Sequence, residues 1–124
     1  MNSKIDKRLK QIKAENNIWI IYLLIIGLSF YSNQLETDYF KNNNEISKEK
    51  YRKINIIIFS TLVIVYCFFE KEAISSIKEK DKTKTQEKYD NLALFASTLI
   101  LISGIIFLYI VIVDKGIEEE VAFN

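Results

Sequence analysis

Apolar residues in this chain fall into three blocks, near 18–35, 54–69 and 92–113, and nearly all the charge lies between them. The third block, LALFASTLILISGIIFLYIVIV from Leu92 to Val113, is 22 residues long and bears no charge and no proline. As a helix it reaches roughly 33 Å, slightly more than the hydrocarbon thickness of a bilayer. It has no polar side, so a water-soluble helix is a poor description of it. The first block, IWIIYLLIIGLSFYSNQL from Ile18 to Leu35, follows a basic leader in the manner of a secretory signal. Phe30 and Tyr31 stand where a cleavage site needs small residues, so it is expected to be a retained span. The second block, Ile54 to Phe69, has 16 residues, about 24 Å of helix. It crosses a bilayer only if Tyr51, Arg52 and Lys53 at one end and Lys71 at the other extend to the headgroups.

This pattern predicts an all-α polytopic membrane protein: a single domain over 1–124, with three transmembrane helices in a small bundle and helical extensions beyond the membrane. The segment 1–17 is basic, and Ile5, Leu9 and Ile12 make one helical stripe within it. It reads equally as an amphipathic helix on the membrane surface and as a polar extension of the first span. The NNNE at 42–45 is the clearest loop signal, with helix resuming at Glu45. Ser75 or Ser76 is expected to end the second helix, and the chain to reverse between Asp81 and Gln86. Gly116 is a plausible terminator of the third helix, and 114–124 forms an acidic tail. Trp19, Tyr22, Tyr51 and Tyr89 are the expected aromatic anchors at the membrane–water boundaries.

Composition adds exclusions. The net charge is +1 and basic residues are interleaved with acids, as in KEKDKTKTQEK, so no one-signed face for nucleic acid is expected. There is no histidine, which removes the commonest general base and a common metal ligand. Cys67 is the only cysteine, so an intrachain disulfide is impossible, and its place in the second block suits a small filler. No cofactor and no metal site are expected. Lys and Arg number five in 1–17 and six in 70–91, against five in 36–53 and one in the tail. The positive-inside rule then places the N-terminus in the cytoplasm and the C-terminus outside. The abundance of Ile, Lys and Asn suggests a bacterial, A+T-rich source, hence a bacterial cell membrane.

The only chemistry that stands out is that of contact. On the third span Ala93, Ala96, Ser97, Ser103 and Gly104 lie within about 120° of one another around the helix, joined by Ile100 and Phe107. Small residues let helix backbones approach where no hydrophobic drive exists between helices. Leu94, Leu101, Ile105, Leu108 and Ile112 oppose them and suit lipid. Ser60 and Cys67 on the second span and Gly27 on the first extend the helix-packing face, and one simple arrangement sets them against the third span. Asn55 is the only amide inside the second block, able to bond across helices or to reach headgroup water.

The absence of Asp, Glu, Lys and Arg from all three blocks argues against proton-coupled transport and voltage sensing. The expected partners are the bilayer and either a second copy or another membrane protein. The role expected is association, as a homo-oligomer or an accessory subunit, and not catalysis. A homo-oligomeric pore lined by Ser60, Thr61, Ser97, Thr98 and Ser103 is the runner-up. A holin-like lesion former, or a small interfacial lipid-modifying enzyme using Glu15, Asn16, Glu70, Glu72, Asp90 and Asn91, comes third.

Overall fold

The computed structural model describes residues 3–114; the 115–124 part of the acidic tail, with Gly116, lies outside the described residues. Three α-helices follow one another: α1 (Ser3–Asn42), α2 (Glu45–Ile77) and α3 (Lys84–Val113). Each is long and apolar enough to cross a membrane. With no proline in the chain, nothing interrupts them, and the basic leader simply continues the first span as one 40-residue helix. Residues 3–17 are thus helical without a break into the first apolar block.

The connections are short and chemically defined. Asn43 takes a left-handed conformation, φ 51°, which asparagine tolerates better than most residues. Asn44 then caps α2, its Oδ1 accepting from the backbone N–H of Ile46 and Ser47. α2 runs through Ser75 and Ser76 to Ile77, slightly further than the serines suggest, and turns through Asp81 at φ 62°. Thr83 and Gln86 form a reciprocal capping box at the start of α3. Those residues look unfavourable within a helix, yet in this spacing they begin one.

Neither α2 nor α3 has a basic residue in its last turn, and each takes a cation from elsewhere in the chain. Lys82 donates to the Ser76 carbonyl and to Asp90 (2.6 Å), closing the second connection. Arg52 donates to the Ile112 carbonyl (3.3 Å) at the end of α3. Both place positive charge where the helix dipole is negative.

α2 packs against both other helices, whereas α1 and α3 do not pack on each other. The three helices therefore lie as a row with α2 central. On α1 the buried positions Ile18, Ile25 and Ser32 recur every seven residues, and on α2 so do Tyr51, Ile58 and Val65. That is the spacing of a left-handed helical pair. Ile58 and Phe59, each 1% exposed, form the centre of the core, with Ile25 from α1 and Val111 from α3.

The turn between α1 and α2 is locked by Asp38. Its carboxylate accepts from Asn42 Nδ2 (2.7 Å), Asn44 Nδ2 (2.8 Å) and Ser47 Oγ (2.6 Å). These bonds, that of Ser47 above all, hold its pKa below the usual carboxylate range. A lowered folded-state pKa means the contribution is present above the unfolded value and disappears as pH falls through the folded one. The melting midpoint of the purified chain is accordingly expected to fall below about pH 4, and less steeply in Asp38→Asn. Identical acid profiles would remove Asp38 from this role.

Candidate helix-packing site

The contact surfaces are best taken helix by helix, beginning where backbones come closest. Gly104, buried on α3, faces α2 so tightly that an added Cβ would lie 2.8 Å from Tyr66 Cδ2 and 3.0 Å from Cε2. Only a residue without a side chain lets the Tyr66 ring lie flat along α3 there. Nearby Phe59 and Phe107 pack with their rings tilted at 42°, 5.9 Å between centroids. Ser97 is half-buried on the same side of α3.

The remaining small positions of α3 are placed differently. Ala93, Ala96 and Ser103 are exposed, as is Ile100. Leu94, Leu101 and Leu108, which size alone assigns to lipid, are half-buried, while Ile105 and Ile112 are exposed. The helix is turned partly away from the small stripe because α2 offers Tyr66 and Phe59 as partners, and bulky aromatics are met by leucines as well as by one glycine. On α2 Ser60 is half-buried and Cys67 is exposed. Gly27 has no neighbouring atom within 4 Å of a built Cβ, and α1 does not reach α3. The arrangement that sets Gly27 and the Ser60 stripe together against α3 is thus not the one adopted.

Because α1 and α3 stand apart over α2, a groove of about 650 Å³ opens between them, with Tyr22 of α1, Phe59, Leu62 and Tyr66 of α2, and Ile100, Ser103, Gly104 and Phe107 of α3 around it. Part of the small stripe of α3 therefore forms one wall of this groove.

Of the polar contacts between helices, the sequence announced Asn55 as a possible member but none of the partners. Ser32, fully buried, donates to Asn55 Oδ1 at 2.6 Å; Asn55 is itself 3% exposed. Tyr51 lies beside this pair, close to both Asn55 and Glu36. Tyr51 is 4% exposed, so it is turned inward, unlike Trp19 and Tyr89 among the expected anchors. Trp19 (64%) and Tyr89 (63%) are exposed, and Tyr22, packed edge-on against Trp19 at 5.7 Å, is half-buried.

At the opposite end Glu70, the first residue after the second apolar block, accepts from Ser97 Oγ (2.9 Å) and Thr98 Oγ1 (2.7 Å). Those hydroxyls lie five and six residues inside the third block, about 8 Å of helical rise beyond Leu92. The stagger of α2 against α3 thus carries a carboxylate into a region where the sequence has no charge. Nearby, Arg8 pairs with Glu15 (3.2 Å) and Lys7 with Glu79 (2.8 Å). Glu72 is pushed above the usual carboxylate range, chiefly by burial, with Glu15 adding to the shift and Arg8 opposing it. Glu15, Glu70 and Asp90 each have a bonding partner, Glu72 lies near Glu15, and among the described residues no three acidic side chains gather to hold a metal. The hydroxyl of Thr61 bonds to the Ile57 carbonyl, and those of Ser97 and Thr98 to the Leu94 carbonyl.

Set beside protein-family models, curated proteins and solved structures, the chain has no match in any of the three.

Proposed function

We propose that the chain is a multi-pass protein of a bacterial cytoplasmic membrane, N-terminus inside and C-terminus outside, that works by associating with a second copy of itself. Large apolar side chains cover its outward surfaces; Leu23 (68%), Phe30 (69%), Ile64 (69%) and Phe95 (64%) are examples. So much exposed apolar surface suits lipid and helix partners and is far beyond what a water-soluble monomer carries. The excess of Lys and Arg at the 1–17 and 70–91 segments supports the orientation.

The observation that carries self-association is the groove between α1 and α3. Its α3 wall presents Ser103 and, further along the same stripe, Ala96 and Ala93, all exposed and all small. Two copies related by a two-fold axis would bring the same stripe together twice, which is how small-residue helix contacts are made. The bonding of the Thr61, Ser97 and Thr98 hydroxyls to carbonyl or carboxylate oxygens supports this reading over a pore that needs them to line water.

The test is the native mass of the chain in nanodiscs. A multiple of the chain mass is expected, reduced to that of a single chain by Ala96→Trp or Ser103→Trp. Leu23→Trp, on the outer surface of α1, should leave the assembly intact. A single-chain mass for the unaltered protein refutes the proposal.

A further inference from the structure

We infer that the groove between α1 and α3 is the binding site of a lipid-soluble quinone, whose ring lies among the aromatic side chains there and whose carbonyl oxygens accept from the hydroxyls of Tyr22, Tyr66 and Ser103. The groove has about 650 Å³, the size of a small-molecule pocket, and a matching surface: apolar and aromatic, with a few polar groups. Phe59 and Phe107 form part of it, and the Tyr66 ring lies along α3 where Gly104 has no side chain.

The polar groups identify the occupant. Within the apolar blocks Thr61, Ser97 and Thr98 bond to carbonyls of their own helices, and Ser32 bonds to Asn55. The hydroxyls of Tyr22, Tyr66 and Ser103 have no such partner among the described residues, and all three border the groove. Tyr22 and Tyr66 are also close to each other. Ser103 is eleven residues past Leu92 and Gly104, against which Tyr66 lies, is twelve, about 16 and 18 Å of helical rise into the third block. At that depth no bulk water completes a hydrogen bond, so these donors are met by whatever enters the groove.

An acyl chain fills volume but carries no acceptor so far from its ester. The small side chains of a second copy close the mouth without filling the space behind it, and the rings and hydroxyls all belong to one chain, so no second copy is needed. A quinone answers each requirement. It is flat, as a slot between aromatic rings demands, and it bears carbonyl oxygens on opposite edges with no hydrogen to donate. Its apolar tail keeps it in the bilayer.

Trp19, the only tryptophan, packs edge-on against Tyr22 at 5.7 Å and so reports on the groove. The experiment titrates the full chain in nanodiscs with decylubiquinone and reads Trp19 emission. Quinone free in the lipid quenches in proportion to its concentration, whereas a site adds a saturable component, which is the result expected. Tyr66→Phe/Ser103→Ala keeps the ring and the surroundings of Trp19 and removes two donors; it should raise the half-saturation point about tenfold. Quenching without saturation, or a half-saturation point unchanged in the variant, overturns the inference. Should the variant not fold, thermal unfolding of the unaltered chain in detergent decides. Decylubiquinone is expected to raise the melting midpoint by about 5 °C in a saturable manner, and decylbenzene, which has the same tail but no acceptor, to leave it in place. Equal shifts with the two compounds show that any apolar molecule fills the groove and overturn the quinone.

Discussion

Replacing Gly104 by leucine should lower the melting midpoint of the detergent-solubilised chain more than any other single change within the apolar blocks. A Cβ at that position already meets the Tyr66 ring at 2.8 Å, and the rest of a leucine side chain has nowhere to go but into α2. Inserting bulk into a packed contact costs about 1–3 kcal/mol, and here the obstacle is a ring that is itself half-buried. The helices must separate or Tyr66 must leave its place. Tyr66→Ala introduced together with Gly104→Leu should recover part of the loss, since it vacates the volume that the leucine needs. Ser97→Leu should also be destabilising, because Ser97 is half-buried and holds Glu70. Leu101→Ala, a truncation at a half-buried position, should do less than either, and Gly27→Leu should do almost nothing because the space around Gly27 is open. Equal melting of Gly104→Leu and Gly27→Leu would show that α2 and α3 do not meet at this glycine.

The second large effect is expected at Asn55. Substituting leucine removes the acceptor of the fully buried Ser32 hydroxyl and places a branched apolar side chain beside buried Tyr51. An unsatisfied buried polar group costs about 1–3 kcal/mol in a protein interior. Bonds between helices in an apolar medium average nearer 0.6 kcal/mol, because a serine deprived of its partner can bond back to its own helix. Asn55→Leu strands the buried Ser32 hydroxyl and also changes the volume of a side chain only 3% exposed, so about 1–2 kcal/mol is expected for it and less for Ser32→Ala. The double variant should lose less than the sum of the two, since the second change removes the group that the first left stranded. Strict additivity in a melting series would show that Ser32 and Asn55 act independently.

These two sites differ in how far the sequence announces them. Gly104 belongs to a stripe of small residues that helical spacing picks out, and the structure places it at a close approach. Other members of that stripe, Ala93, Ala96 and Ser103, are exposed in the single chain, and Leu94, Leu101 and Leu108 are partly covered instead. Asn55 is conspicuous as the only amide in its block, but nothing in the sequence names Ser32 as its partner. Glu70 is less legible still. It stands just outside the second block, and only the relative stagger of α2 and α3 brings its carboxylate beside Ser97 and Thr98.

The sequence by itself determined what is local. Unbroken apolar runs without proline dictate long helices, and NNNE and the Thr83–Gln86 spacing dictate where the chain turns and starts again. Tertiary structure alone decided that α2 lies in the middle, that α1 and α3 stay apart, and which face of each helix is covered. The physical reason is that these helices are apolar on every side. Hydrophobicity distinguishes inside from outside only when the outside is water; where every face is equally apolar, shape and a few polar bonds choose the partner, and those depend on what the neighbouring helix presents at the same height.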